Sequence, residues 1–545
     1  MRRDISGWQT RLSDEMVVRF TASGQWSGVT LVHAAREQMA GENRIAVVDG
    51  DKSRRFSQLY DDALRLASQL RRRGLIPGDV ISFQLPNWHE AMVINLAATL
   101  GGFICNPIVA IYRDAEVGFI LSDSRAKVLF IPESFRNFDY AAMAERLRPG
   151  LDSLRDIVLV RATRPGFASY DEWIVSPAEG HFPDVDPNAI KLLLYTSGTT
   201  GKPKGVLHSH NTIRAEIDAV TRFWSLSSRD VVLMPSPVTH ITGYLYALEL
   251  PFAVGVKAVL MERWDAKDAI ELIGTHHVSF SIGATPFLVE LVDAIDRAGL
   301  SLPSLRLYAS GGAPVPPEVI TRARAMLPNC TSFRVYGSSE APTVSLGIAP
   351  GGSVDRGAST DGYIYNHEVR IVDVATGAAR AKGEQGEILT RGPEVMLGYT
   401  DPAQTAEAFD SDGFFRTGDL GSVDAEHYIT VSGRAKDLII RGGENISPKE
   451  IEDVLHQHPA VSEVAIVAMP HQRMGETPCA YVILRSGMAL DLAEVRRFLD
   501  SNGLARQKFP EGLVIVDELP RTASGKVLKH VLRARAATES TFHQA

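Results

Sequence analysis

Residues 190–205 read IKLLLYTSGTTGKPKG, and this stretch decides both the fold and the chemistry expected of the chain. Its run LLLY at 192–195 is apolar, has the length of a strand and stops at small polar residues, which predicts a buried strand ending in a loop. The loop combines hydroxyls (Thr196, Ser197, Thr199, Thr200), glycines (Gly198, Gly201, Gly205) and lysines (Lys202, Lys204). Close backbone approach, hydroxyl donors and positive charge together suit a polyphosphate ligand.

Two other interpretations of this loop are weaker. A glycine-rich linker would have polar flanks, whereas here a buried strand precedes the loop and a helix follows it. The helix is predicted from one apolar face, formed by Ile213, Ile217, Val220 and Trp224, with Asn211 as the expected N-cap. A Walker A loop is excluded because the glycines of GTTGKPKG are too close together and Pro203 stands where Ser or Thr would bind magnesium.

The composition narrows the function classes. The 545 residues are 45% hydrophobic with a formal net charge of -8, which predicts more than one domain and gives no reason to expect nucleic acid as a partner. Cys105, Cys330 and Cys479 lack the spacing of a metal site, so we expect reduced thiols and a cytoplasmic protein. The N-terminal MRRDISGWQTRLSDE lacks the apolar segment of a secretory signal, and prolines interrupt the apolar region 231–261, so no membrane span is expected.

Strand and helix patterns alternate along most of the chain from about residue 44, which predicts an α/β protein with mostly parallel, helix-covered sheets. The predicted strands of this part lie at 80–85, 104–110, 127–131, 231–234, 278–282, 305–309 and 333–336. Beyond residue 362, the runs EVRIVD, GEILT and HYITVSG predict a small antiparallel β subdomain. After a second break at 434–437, helices at 448–456 and 492–499 with strands at 464–469, 479–484 and 513–516 predict a small α+β unit.

Four further stretches place polar groups in turns or at strand ends, where α/β proteins carry ligand groups. They are GGAPVP at 311–316, YGSSE at 336–340, TGDLG at 417–421 and PRTASGK at 520–526. Each alone is equally consistent with an ordinary turn, a solvated Glu340 or a solvated Lys526. Their joint order is more informative than any single motif.

YTSGTTGKPKG, SGGAP, YGSSE, RTGDL, GRAKD, GGENISPKEIE and PRTASGK follow one another across most of the chain. In this order they resemble the adenylate-forming (ANL) superfamily, which contains acyl-CoA synthetases, firefly luciferase and nonribosomal peptide adenylation domains. The resemblance implies a large N-terminal domain, residues 1–435, and a small mobile C-terminal α+β domain, residues 436–545. It also implies two half-reactions: a carboxylate attacks the α-phosphate of ATP, and a thiol then attacks the acyl-adenylate.

The resemblance also implies roles for single residues. ATP or AMP would be bound by Thr196, Ser197, Gly198, Thr199, Thr200, Gly201, Lys204, Gly312, Ala313, Pro314, Tyr336, Gly337, Ser338, Ser339, Asp419 and Arg434. Glu340 and Thr196 would hold Mg2+, Lys526 would stabilise charge at the α-phosphate, and Lys436 falls at the hinge position. The physics agrees, because displacement at phosphorus asks for positioning and charge compensation rather than a covalent nucleophile.

The thiol that accepts the acyl group and the carboxylic acid substrate are predicted from two other regions. Arg441, Gly442 and Gly443 match the position that leaves room for the pantetheine arm, which favours coenzyme A. The carboxylate pocket would include His240, Gly243, Gly283 and Gly311. No lysine or arginine stands among these small and apolar residues to pair with a second charge, so an uncharged, bulky or medium-chain acid is expected. The region PVTHITGYLYALELP at 237–251 looks most like medium-chain fatty acid and cyclohexanecarboxylate CoA ligases.

Three alternatives stay open at this stage. His240 could be a buried core histidine rather than a pocket residue. The chain could be a stand-alone acyl-adenylating enzyme that loads a carrier protein, or a non-catalytic nucleotide-binding sensor, although Lys204, Glu340, Asp419, Arg434 and Lys526 are all in place. A homodimer is compatible with the sequence, although no residue pattern requires one.

Overall fold

The computed structural model describes residues 2–40, 43–178, 182, 184–196, 203–442, 444–521 and 526–539. Two large sheets, a small antiparallel sheet and a C-terminal α+β unit account for the strands of this part of the chain, apart from two short hairpins. Among the described residues, no helix combines the length and apolarity that a membrane crossing requires.

The first sheet has eight strands and contains the run that opens the phosphate loop. In spatial order the strands are Ala168–Ser169, Asp156–Val160, Val128–Pro132, Val80–Phe83, Ile104–Pro107, Ile190–Thr196, Lys204–Ser209 and Gly398–Tyr399. The first six run parallel and the last two are antiparallel to their neighbours. Parallel strands need crossover helices, and the helices that cover the outer face are Asp114–Asp123 and Tyr140–Leu147.

The second sheet has seven strands and is parallel except at one edge. Its order is Thr331–Arg334, Leu307–Ser310, Phe280–Gly283, Val231–Met234, Lys257–Leu260, Ile45–Asp49 and Lys52–Arg55, the last pair being antiparallel. The helices Ala266–His276, Thr285–Ala298 and Pro317–Met326 cover its outer face.

The main core lies between the two sheets. It is filled by the helices Leu31–Ala40, Phe56–Arg72, Glu90–Gly101 and His210–Phe223 and by the helical segment 241–254, whose middle is the π-helical turn Tyr244–Glu249. Leu192 and Leu194 face this core, whereas Leu193 and Tyr195 face the second core, between the first sheet and the helices on its outer face. The run LLLY is therefore continuously apolar because both faces of its strand are buried.

The remaining two sheets lie after residue 362, where the sequence pattern changes to short strand-like runs. Glu368–Val372, Gly386–Arg391, Phe415–Val423 and Ile429–Arg434 form an antiparallel four-stranded sheet. The C-terminal unit has strands Glu444–Ile446, Ile439–Arg441, Gly475–Leu484, Val461–His471 and Gly512–Ile515. Pro448–Leu455 and Leu492–Ser501 pack on one face of that sheet and Lys529–Glu539 on the other. The shorter helices are Asp14–Ala22, Tyr170–Ile174, Arg356–Ser359 and Pro402–Ala408.

The fold prediction is confirmed as an α/β protein with a separate α+β C-terminal unit, and two local predictions are wrong. The phosphate loop does not lead straight into a helix, because Lys204–Ser209 returns as a strand antiparallel to Ile190–Thr196. The N-cap of the helix is Ser209, whose hydroxyl accepts from the Thr212 amide at 3.2 Å, and not Asn211. Asn211 lies within the first turn and accepts instead from the Gly28 amide at 3.2 Å. Cys105, Cys330 and Cys479 are buried, and no disulfide bond joins them.

Candidate active site

Thr196 and Lys204, which flank the phosphate loop, lie at the loop end of a hairpin. Thr196 pairs with Lys204, and Tyr195 pairs with Gly205. A Cβ atom on Gly205 would approach Thr400 Cγ2 to 2.7 Å and Leu193 Cδ1 to 2.9 Å, so glycine is needed for the strands to pack this closely. Ser197, Gly198, Thr199, Thr200 and Gly201 lie outside the described residues, and their phosphate contacts stay a prediction.

Glu340 is held next to this hairpin by two neighbouring strands. The Tyr399 hydroxyl donates to Glu340 Oε1 at 3.0 Å, and the Met396 amide donates to the Glu340 carbonyl at 2.8 Å. His208 Nε2 lies 2.7 Å from the carbonyl oxygen of Ser339. Since a carbonyl only accepts, His208 carries its proton on Nε2, and its Nδ1 accepts from the Thr212 hydroxyl at 3.1 Å. Burial lowers the pKa of His208 to about 4, so the ring is neutral at physiological pH.

Asp419 and Arg434 sit opposite each other on paired strands of the small antiparallel sheet. Arg434 Nε lies 2.9 Å from Asp419 Oδ1, and the Tyr336 hydroxyl donates to Asp419 Oδ2 at 2.8 Å. Burial and the charge of Asp419 raise the pKa of Tyr336 well above its ordinary value, so the phenol remains a donor. The structure thus brings together three residues that the sequence places 83 and 15 positions apart, counting from Tyr336 to Asp419 and from Asp419 to Arg434.

One cavity of about 240 Å³ is shared by the large N-terminal part and by Lys526. Burial, and then the charge of nearby Arg434, lower the pKa of Lys526 to about 8. Burial, and then the charge of Lys526, lower the pKa of His240 to about 4. His240 lines the cavity and is half-buried, and its role in the carboxylate pocket stays a prediction.

Most of the predicted site residues that the structure describes line this cavity. They are Thr196, His240, Gly283, Gly311, Gly312, Gly337, Ser338, Ser339, Glu340, Arg434 and Lys526. Ala313 and Pro314 follow Gly312 in the same turn, and Asp419 pairs with Arg434 while accepting from the Tyr336 hydroxyl. Gly243 has a packing reason for its size, because a Cβ atom there would meet the Pro237 carbonyl oxygen at 2.1 Å.

The residues predicted to serve CoA and the hinge lie in the C-terminal unit or at its start. Arg441 donates to the Gln507 carbonyl at 2.6 Å and pairs with Glu511, and the Gly442 amide donates to the Met474 carbonyl at 2.8 Å. Neither is among the described residues that line the cavity. Lys436 lies in the short helical turn Ala435–Asp437 directly after the last strand of the antiparallel sheet, and its carbonyl accepts from Arg533 at 3.3 Å. Gly443 lies outside the described residues.

The apolar part of the cavity is a wall that backs onto the main core. We define this core-side wall as Leu194, Leu245, Tyr246, Ile282 and Val335, which belong to the main core, together with Thr343, which also lines the cavity. Tyr246 belongs to the π-helical turn, a distortion that is frequent at functional sites. Its ring stacks on Trp224 with centroids 5.9 Å apart. None of these six residues has a cationic side chain, whereas Arg434 and Lys526 line other parts of the cavity.

Sequence analysis missed three residues that support the site: His208, Tyr399 and the buried Glu216 behind Tyr246 and Thr343. His208 was missed because the buried strand on which it lies, Lys204–Ser209, was not predicted from the sequence. Tyr399 and Glu216 reach their partners only through long-range packing.

A group of metal-type ligands, Asp49, His89 and Glu90, lies elsewhere among the described residues. Arg161 already supplies the cation there: it pairs with Asp49 and donates to Glu90 Oε1 at 2.8 Å. Asp49 ends a strand of the second sheet and Arg161 follows a strand of the first, so this cluster joins the two sheets rather than binding a metal ion.

The comparisons with known proteins agree with this geometry. Residues 34–400 match the model of the AMP-binding enzyme family, and residues 450–526 match that of the AMP-binding enzyme C-terminal domain. The chain belongs to the AMP-binding enzyme family. This confirms the resemblance carried by the motifs and the predicted enzyme class, an AMP-forming acid–CoA ligase.

Three proteins that are similar to this AMP-binding enzyme are named for different carboxylic acids. The medium-chain fatty-acid–CoA ligase of Escherichia coli (strain K12) is 35% identical over 94% of this chain and 92% of its own length. The vibriobactin-specific 2,3-dihydroxybenzoate-AMP ligase of Vibrio cholerae serotype O1 (strain ATCC 39315 / El Tor Inaba N16961) is 29% identical over 99% of both chains. The anthranilate CoA ligase AuaEII in complex with anthranoyl-AMP superposes with a TM-score of 0.86 at 25% identity, covering 94% of this chain and 98% of that one.

Proposed function

We propose that this enzyme activates an uncharged, bulky or medium-chain carboxylic acid with ATP and Mg2+ and transfers the acyl group to coenzyme A. The observation that supports the proposal most is the shared cavity, whose lining joins Thr196, Glu340, the core-side wall and Lys526. Such a cavity offers an anion-binding end and an apolar end within one enclosure, which is what condensing a phosphate with an apolar acid requires.

In the first half-reaction, a carboxylate oxygen forms a bond to the α-phosphorus of ATP while the bond to the bridging oxygen breaks and pyrophosphate leaves with the electron pair. Lys526 would donate to oxygens of the carboxylate and α-phosphate as charge develops there. Asp419 would accept hydrogen bonds from the ribose hydroxyls, held in place by Tyr336 and Arg434. Thr196 and Lys204, at the loop end of the hairpin, would bind the departing phosphates.

Glu340 and Thr196 fit the Mg2+ that this reaction needs. Magnesium is commonly bound by one or two carboxylates plus substrate phosphates rather than by an all-protein cage. Glu340 offers one carboxylate, and Thr196 offers one hydroxyl on the same cavity. When bound with ATP, the ion would neutralise phosphate charge. Tyr399 and His208 would fix the carboxylate and its backbone for that purpose.

In the second half-reaction, the CoA sulfur would attack the carbonyl carbon of the acyl-adenylate, the thiol proton would be lost and AMP would leave. Arg441 and Gly442 are held within the C-terminal unit while Lys526 lines the cavity, so the observed arrangement suits adenylation. We propose that residues 436–545 rotate about Lys436 to replace Lys526 with the pantetheine channel at Arg441, Gly442 and Gly443.

The test of the proposed function is a CoA-thioester screen across linear, branched, alicyclic and aromatic acids, with pyrophosphate, AMP and thioester measured together. Neutral acids are expected to give all three products in equal amounts. Dicarboxylates and amino acids should be poor substrates, because an unpaired buried charge costs several kcal/mol. A preference for an amino acid would contradict the assignment.

A second candidate is an acyl-adenylating enzyme that loads a carrier protein, favoured by the similarity to the 2,3-dihydroxybenzoate-AMP ligase. The same screen separates the two. Pyrophosphate release without thioester, together with an acyl-hydroxamate when hydroxylamine is present, would indicate a carrier protein as the acceptor.

A further inference from the structure

A carboxyl group lies directly behind the core-side wall. Glu216, on the helix His210–Phe223, is only 1% exposed. The Tyr246 hydroxyl donates to Glu216 Oε1 at 3.4 Å, and the Thr343 hydroxyl donates to the same oxygen. Tyr246 and Thr343 are the only residues of the core-side wall with a polar side chain. Both hydroxyls therefore point to Glu216.

The surroundings of Glu216 favour its neutral form. Burial, and then the neighbouring carboxylate of Glu394, raise the pKa of Glu216 to about 8. Glu394 is itself buried and lies beside His367, with 3.1 Å between Glu394 Oε2 and His367 Nε2. Glu216 Oε1 accepts both hydroxyls, whereas Oε2 has no hydrogen-bond partner among the described residues.

We propose that Glu216 determines acid specificity by engaging the Tyr246 and Thr343 hydroxyls as donors, which leaves the core-side wall without a free hydrogen-bond donor for the acyl group. This inference rests on the proposed function, because it assumes that the acyl group lies against that wall. It names the substrate class more narrowly: acids whose distal end is apolar, as opposed to acids that carry a distal hydroxyl or amine.

The physical basis is competition for two donors. A distal hydroxyl that enters the pocket loses its water and finds both wall donors already bonded to Glu216, so its oxygen accepts no hydrogen bond there and its desolvation is only partly compensated. A methyl group in the same place loses nothing. Removing the acceptor at position 216 would free both hydroxyls to bond the substrate, and the preference for the methyl group should fall.

The test compares kcat/KM for two pairs of acids that differ by methyl against hydroxyl: 4-methyl- and 4-hydroxycyclohexanecarboxylate, and nonanoate and 8-hydroxyoctanoate. The wild-type enzyme should prefer the methyl member by on the order of 10- to 100-fold, the range of such discrimination in apolar pockets. Glu216→Leu should reduce that ratio by about tenfold, the scale of one hydrogen bond. Glu216→Gln should keep the wild-type ratio, because its amide oxygen accepts as the neutral acid does.

A second background separates specificity from packing. In Tyr246→Phe/Thr343→Val, which lacks both hydroxyls, the wild-type preference should persist and Glu216→Leu should not change the ratio further. Glu216→Ala serves in both backgrounds if the leucine variant does not fold. Overturning results are a wild-type preference for the hydroxy acids, an equal change in ratio for Gln and Leu, or the same effect of Glu216→Leu in both backgrounds. If no acid yields a thioester the proposed function fails, whereas turnover with a ratio independent of residue 216 defeats only this inference.

Discussion

The two ends of the cavity handle carboxyl groups in opposite ways. At the nucleotide end, Asp419 pairs with Arg434 and Glu340 accepts from the Tyr399 hydroxyl, and both carboxyl groups are proposed to contact the ligand, through the ribose hydroxyls and through Mg2+. At the acyl end, Glu216 is buried beside Glu394 and its carboxyl accepts two hydroxyls that would otherwise face the substrate. The comparison teaches that burial and neighbours, rather than residue type, decide whether an acidic residue presents a charge or removes polarity.

The largest expected effect is at the nucleotide end. Lys526→Ala should reduce adenylation by on the order of a hundredfold or more, because it removes a donor to charge that develops in the transition state. Thioester formation from supplied acyl-adenylate should change far less. The matched control is Lys508→Ala, which removes a surface lysine of the same unit that pairs with Glu450.

Single-turnover pyrophosphate release and thioester formation are the two measurements. An equal loss in both half-reactions would show that Lys526 has a structural role. It would contradict the proposal that its ammonium group stabilises charge at the α-phosphate.

The next effect concerns Glu340. Glu340→Gln should weaken the apparent affinity for Mg2+ in ATP–pyrophosphate exchange by roughly 10- to 100-fold, with partial recovery at high Mg2+. Tyr399→Phe and His208→Leu should shift the same constant less, since they act on Glu340 through one hydrogen bond each, and His208→Gln should retain part of the donor function. Unchanged Mg2+ dependence in Glu340→Gln would place the metal site elsewhere.

A smaller and selective effect is expected at the hinge. Lys436→Pro should spare adenylation, because Lys436 lies in a helical turn that tolerates a φ of roughly -65°. It should slow thioester formation by about tenfold, about 1.4 kcal/mol of barrier, if the second step needs a torsional change there. Selective damage to adenylation, with thioester formation intact, would contradict the rotation.

The pH dependence should give the smallest effect. Because burial and Arg434 lower the pKa of Lys526 to about 8, its ammonium form is lost as pH rises through that value. Adenylation kcat/KM should therefore be about fourfold lower at pH 8.5 than on the plateau, since kcat/KM reports the free enzyme. In Lys526→Arg this limb should disappear, because a guanidinium stays charged. A limb that persists in the arginine variant would belong to another group.

The sequence predicted the nucleotide end better than the acyl end. Thr196, Glu340, Arg434 and Lys526 stand in motifs whose order is informative, and the structure places all four on one cavity. Glu216 offered no such signal, since a glutamate in a helix is normally solvated and only the packing of Tyr246, Thr343 and Glu394 around it shows otherwise. The hairpin strand Lys204–Ser209 was missed because its polar residues do not suggest a buried strand. In the structure, the hydrogen bond from His208 to the Ser339 carbonyl compensates for burying the imidazole.

The central claim is that one cavity joins a charged nucleotide end to an apolar acyl end. It is tested most directly by one competition experiment, in which octanoate and octanedioate are supplied together with ATP, Mg2+ and CoA and the two thioesters are quantified. Octanoyl-CoA is expected to be the dominant product, with AMP and pyrophosphate formed in equal amounts. Dominant formation of the octanedioate thioester would contradict the claim.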